Sequence, residues 1–125
     1  MPKRKEHFTH CAKVILEPGS DERAPGGAVT IALCGSWDHE GACRWPHHTA
    51  ATWDGLQGDL RVVFAAHGNE EEMVRSLIEH GLARGECVGP DAKLSRWSLM
   101  ESGAGIPTDD EDVLAERISG TADKG

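Results

Sequence analysis

The chain has 125 residues, four cysteines, seven histidines and a formal net charge of −8. That length predicts one domain able to bury a modest core. The acidic balance argues against duplex nucleic acid and against an anionic membrane surface as partners. The hydrophobic fraction is only 38% and fifteen residues are glycine, so the core is expected from a few short apolar segments.

Residues 1–9 read as a disordered tail, and the basic run Pro2–Lys5 as its solvated part. The short apolar run behind it, Ala12–Leu16, is interrupted by Lys13 and too short for a secretory signal. No apolar run approaches the ~20 residues that span a bilayer. A cytoplasmic protein is therefore expected, and in a reducing cytosol its cysteines serve as thiols or metal ligands rather than disulfides.

A single domain is expected over residues 10–119, followed by a loose tail at 120–125. Cys11–Glu17, rich in aliphatic and β-branched residues, predicts a strand. Pro18–Gly27 has the composition of a loop. Ala28–Cys34 alternates Val29, Ile31 and Leu33 with smaller residues and predicts a second strand, paired to the first as a long-looped hairpin. A polar, glycine-bearing stretch leads to Leu60–Ala66, a third and well-buried strand.

Asn69 and Glu72 have the spacing of a capping box, so a helix is expected from Asn69. Met73, Leu77, Ile78 and Leu82 mark its apolar face. Glu71 and Arg75 stand at the i,i+4 spacing of an ion pair, and Gly81 or Gly85 ends the helix. Ser95–Ser102 predicts a fourth strand with Trp97 and Leu99 on one face. Thr108, with Glu111 three residues on, caps a last helix carrying Val113, Leu114 and Ile118. The acidic run Asp109–Asp112 reads as helix-start charge.

These elements predict an α+β domain. Its sheet is small, mostly antiparallel and of about four strands, with two helices on one face. The order is strand, strand, Cys/His loop, strand, helix, strand, helix. A split, ferredoxin-like arrangement is compatible with that order, and strand three, helix and strand four can form a right-handed crossover.

The loop between strands two and three carries the chemistry. Cys34–Thr49 (CGSWDHEGACRWPHHT) holds five of the chain's eleven cysteines and histidines. Cys34, His39, Cys43 and His47, with His48 adjacent, form a Cys2His2 set of the ligand types that suit zinc. Gly35 and Gly41 permit a tight wrap, and Pro46 biases Trp45 to extended backbone. In an extended segment His47 and His48 point to opposite faces, so one of them ligates. The spacing matches no established zinc signature. Cys11 and His10 are reserve ligands if strands one and two pair as a hairpin. Cys87 reads as a buried thiol.

Trp37, Arg44 and Trp45 are candidates for a recognition surface toward a protein or small-molecule partner; a core-capping role for the tryptophans competes. The expected function is a small zinc-binding accessory or binding protein whose loop is a metal-stabilised recognition surface. Two alternatives use the same residues. One is a metal- or cysteine-dependent enzyme, with Asp38 or Glu40 beside His39 as proton-transfer groups. The other is a metal-free interaction domain.

Overall fold

The computed structural model describes residues 6–34, 45–89 and 91–123; of the side chains within these, those of 34, 116 and 118–123 are left out of the description. Five strands and three α-helices follow in the order β1 (Glu6–Leu16), α1 (Ala24–Cys34), β2 (His47–Asp54), β3 (Gln57–Ala66), α2 (Glu71–Ala83), β4 (Glu86–Val88), β5 (Leu94–Gly105) and α3 (Asp109–Asp123). All strand pairs are antiparallel, and the sheet order is β2-β3-β1-β5-β4. The expected α+β class with an antiparallel sheet is therefore what the chain adopts. The β1-α1-β2-β3-α2-β5 core, with β1 between β3 and β5, is a split βαβ arrangement of the ferredoxin-like kind.

One element differs in kind. Ala28–Cys34 is the second half of helix α1, not a strand, so there is no hairpin between it and β1. Its Val-Thr-Ile-Ala-Leu alternation favours β-structure locally. The surroundings favour the helix. Asp21 Oδ1 accepts the Arg23 N–H at 2.8 Å, the capping role of an Asp at a helix start, and Pro25 sits in the first turn, where its missing donor costs nothing. Small residues then decide the packing. A Cβ at Gly81 of α2 would meet the Ala28 carbonyl oxygen and the Ala32 Cβ, both at 3.1 Å. The two helices thus cross at close range, and Val29 and Leu33 are buried on the sheet.

The sheet is also larger than expected. β1 begins at Glu6, inside the segment expected as a tail, and α3 runs to Asp123, into the expected C-terminal one. His47–Asp54, expected as loop, is the edge strand β2, joined to β3 by the two-residue turn Gly55-Leu56. Gly55 has φ +62, which suits the first position of a type II′ hairpin turn.

On β1, Ala12, Val14 and Leu16 face α1 and α2 and join Leu60, Val62, Phe64, Ile78, Leu82 and Trp97 in one core. The alternate residues His7, Thr9 and Cys11 face the other side, where α3 packs. The helices therefore cover both faces, α1 and α2 one and α3 the other. On α2 the buried positions are Val74, Ile78, Gly81 and Leu82, whereas Met73, expected on the apolar face, is exposed. The helix entry is stapled by the Glu70 carboxylate on the His67 N–H at 3.1 Å, not by Asn69 and Glu72. Gly85 ends α2 with φ +70.

Candidate functional site

The Cys/His segment spans the connection from α1 to β2. Cys34 is the last residue of α1, and His47 is the first of β2. Trp37, Asp38, His39, Glu40, Cys43 and Arg44 lie outside the described residues. Their expected roles as ligands, acid/base groups or recognition residues have no structural counterpart here.

His47 faces α1 and His48 faces the opposite, exposed side of β2, the divergence that extended backbone requires. The His47 ring lies between two groups of known polarity. Its Nδ1 is 3.2 Å from the Trp45 carbonyl oxygen, which can only accept, so Nδ1 carries a proton. Its Nε2 is 3.2 Å from Thr30 Oγ1 on α1, and that hydroxyl is also 3.2 Å from the Gly26 carbonyl oxygen. Thr30 stands one helical turn before Cys34. The α1 face that carries Thr30 is therefore the face against which His47 is held.

Trp45, expected on the recognition surface, is instead part of the core, 6% exposed. An indole that size gains more from burial than a polar loop can offer it in water, so the core-capping alternative applies to Trp45.

The reserve ligands are elsewhere. Because Ala28–Cys34 is a helix, β1 is not paired to it and nothing aligns Cys11 with Cys34. His10 lies on the core face of β1, 4% exposed. Arg75 Nη1 donates to its Nδ1 at 3.2 Å and to the Thr9 carbonyl at 2.9 Å. A guanidinium has no acceptor, so Nδ1 is unprotonated and Nε2–H donates to Ser102 Oγ at 2.7 Å. This direction rules out His10 as the base that activates Ser102, because its Nε2 has no lone pair to offer. Burial, then the charge of Arg75, hold the His10 pKa below the usual histidine range, against an opposing contribution from Glu79. Arg75 also carries the expected pair with Glu71 at 2.8 Å and lies over the Phe8 and Phe64 rings. The cluster is a buried lock between α2, β1 and β5.

Cys11 is on the other face. Arg61 Nη1 donates to its Sγ at 3.3 Å, and the same guanidinium grips the Glu111 carboxylate and the Ile106 carbonyl. An open groove of about 510 Å³ runs past Cys11, Lys13, Asp59, Arg61, Glu101 and Gly103. Its charges alternate in sign, which gives it no net preference for an anion or a cation. Cys87 is buried, as expected of a packing thiol. Among the described residues no three His, Cys, Asp or Glu side chains converge as metal ligands, and no helix is long and apolar enough to cross a membrane.

The Arg61–Glu111 and Arg75–His10 clusters were not legible as such. Their members are scattered along the chain, and only the i,i+4 pair Glu71–Arg75 left a local signal. Comparison of the chain with protein-family models, with curated proteins and with solved structures finds no match.

Proposed function

We propose that the chain is a small zinc-binding accessory protein. In it, Cys34, His39, Cys43 and one histidine of the His47-His48 pair hold an ion that shapes the α1–β2 connection into a recognition surface for a protein or small-molecule partner. The observation that carries this reading is the state of the His47 ring. Metal-binding histidines characteristically donate the distal ring N–H to a carbonyl or carboxylate, which fixes the tautomer that leaves the other nitrogen for the ion. His47 has that anchor in the Trp45 carbonyl. Ligation through Nε2 would leave the Thr30 hydroxyl bonded, since it keeps the Gly26 carbonyl as its acceptor. His47 is accordingly the ligand of choice and His48 the bystander. With Trp45 in the core, Trp37 and Arg44 remain as the recognition residues.

A metal in this connection acts on stability, because the binding free energy of a site assembled by folding is folding free energy. Elemental analysis of protein purified without chelator should find about one equivalent of zinc. Cys34→Ser and His47→Ala should each lose the metal and lower the thermal midpoint, and His48→Ala should do neither. A metal-free wild type with unchanged midpoints in all three variants refutes the zinc reading and leaves the metal-free interaction domain. A bound metal with an exchangeable water, seen as anion-sensitive spectra after cobalt substitution, favours the enzyme instead.

A further inference from the structure

The two edges of the sheet are unlike. On one side lies the three-residue β4, and β5 beside it carries a bulge at Met100, between the pairs Lys13–Glu101 and Val14–Leu99. Short strands and bulges are how folds blunt an edge. On the other side lies β2, eight residues paired to β3 without a register break. From Thr49 to Trp53 it has no charge, no proline and no glycine, and among the described residues no strand lies beyond it.

The direction of its backbone groups can be read off. The Ala65 N–H donates to the Pro46 carbonyl at 2.9 Å, and Pro46 and Ala65 continue the β2–β3 register. In an antiparallel ladder, residues that bond to a given neighbour alternate with residues that point away. His48, Ala50, Thr52 and Asp54 therefore bond to β3. The N–H and C=O groups of Thr49, Ala51 and Trp53 point out over the open edge. In addition, the Thr49 hydroxyl is buried with no partner among the described residues.

We infer that β2 is the contact through which two copies of this chain pair, edge to edge, into one continuous antiparallel sheet with Ala51 on the two-fold axis. The outward groups require Thr49, Ala51 and Trp53 to pair among themselves across the axis, and the side chains choose the register centred on Ala51. Pairing Ala51 with its mate, Thr49 with the partner's Trp53, and Trp53 with the partner's Thr49 joins every outward N–H to a C=O. A shift by one residue would aim N–H groups at groups already bonded to β3. The side chains agree with this choice. On the exposed face the same register sets His48 opposite the partner's Asp54, and Asp54 opposite the partner's His48. Both are exposed in the single chain, and an imidazole opposite a carboxylate is a favourable cross-strand pair. On the axis itself the smallest chiral side chain, Ala51, meets its own copy. Such a contact is isologous and closes at two chains, since each β2 edge is consumed by the other. A strand-edge contact is smaller than the ~1,600 Å² of a standard interface, so the dimer is expected to be concentration-dependent.

Sedimentation velocity over a wide concentration range tests this on the full-length, metal-replete chain. The wild type should shift from monomer to twice that mass as concentration rises. Ala51→Lys, which sets two ammonium groups against each other on the axis, should stay monomeric with a wild-type thermal midpoint. Asp54→Lys, which removes the complementary charge at an exposed site, should raise the dissociation constant. Residue-resolved hydrogen exchange reads the register: the amides of Thr49, Ala51 and Trp53 should slow with concentration, while those of His48, Ala50 and Thr52 are protected throughout. A wild type that stays monomeric at every concentration overturns the inference. So does a dimer that survives Ala51→Lys unchanged, or one that forms while the three outward amides remain in fast exchange. None of these readouts depends on the identity of a bound ion.

Discussion

Arg61 on β3 and Glu111 on α3 are fifty residues apart in the chain, yet they meet in a two-pronged pair: Nε donates to Oε2 at 2.7 Å and Nη2 to Oε1 at 2.8 Å. Glu111 also accepts from the Thr108 N–H at 2.9 Å and from the Thr9 hydroxyl at 3.3 Å. One carboxylate thus caps α3, pins it to β1 and pins it to β3. The Arg61 side chain is 37% exposed and that of Glu111 13%, so solvent screens part of the attraction. Glu111→Gln should cost about 1–2 kcal/mol of unfolding free energy, read from a urea transition.

The same pair should govern acid unfolding. The Arg61 guanidinium is the largest influence holding the Glu111 carboxyl down to about 2, from an ordinary value of 4.5. Between those values the native state binds fewer protons than the unfolded chain. Its stability is therefore fully present above 4.5 and is lost as the pH falls toward about 2. Denaturant midpoints followed down through that window should fall more steeply for the wild type than for Glu111→Gln.

His10 should add a second, milder acid sensitivity. Its folded-state pKa lies below the ordinary 6.5 because of burial and the Arg75 charge. Above 6.5 the ring is neutral in both states and contributes nothing; below it the unfolded chain takes a proton that the folded chain resists, so stability declines as the pH falls. The groups that act on the ring are Arg75 and Glu79 of α2 and Ser102 of β5. The wild type should lose stability relative to His10→Gln as the pH falls below the ordinary histidine value of 6.5. Equal slopes in the two proteins would show that His10 titrates alike folded and unfolded.

Which face of α2 is buried also makes a sharp contrast. Ile78 is fully buried and Met73 is 45% exposed. Ile78→Ala should cost about 2–5 kcal/mol. Met73→Ala should stay within about 0.5 kcal/mol. Comparable losses at both positions would place Met73 against the core after all.

Much of the fold was legible locally. The runs at Cys11–Glu17, Leu60–Ala66 and Ser95–Ser102 fall in β1, β3 and β5, save Glu17, which lies one residue past the end of β1. Thr108 and Glu111 exchange the two hydrogen bonds of a capping box. These features depend on neighbours in sequence, namely side-chain shape on a pleated backbone and a hydroxyl three residues from a carboxylate. The local signal for β2 is the Gly-Leu turn after Asp54. Its strand residues, with small side chains and few aliphatic ones, did not announce themselves by hydrophobicity.

By itself the sequence determined the α+β class, the strand-forming runs, the last helix's cap and the Glu71–Arg75 pair, because each rests on contacts within a few residues. Only the tertiary structure decided that Ala24–Cys34 is a helix. Its alternating apolar residues suit a strand, but the close approach of Gly81 to Ala28 and Ala32 rewards a helical surface of small side chains with dense packing, and that outweighs a local preference worth less than a kcal/mol per residue. Only the tertiary structure, too, set His47 against Thr30, buried Trp45, and brought Arg61 to Glu111 and Arg75 to His10. Those pairings join residues far apart in the chain, and no local spacing records them.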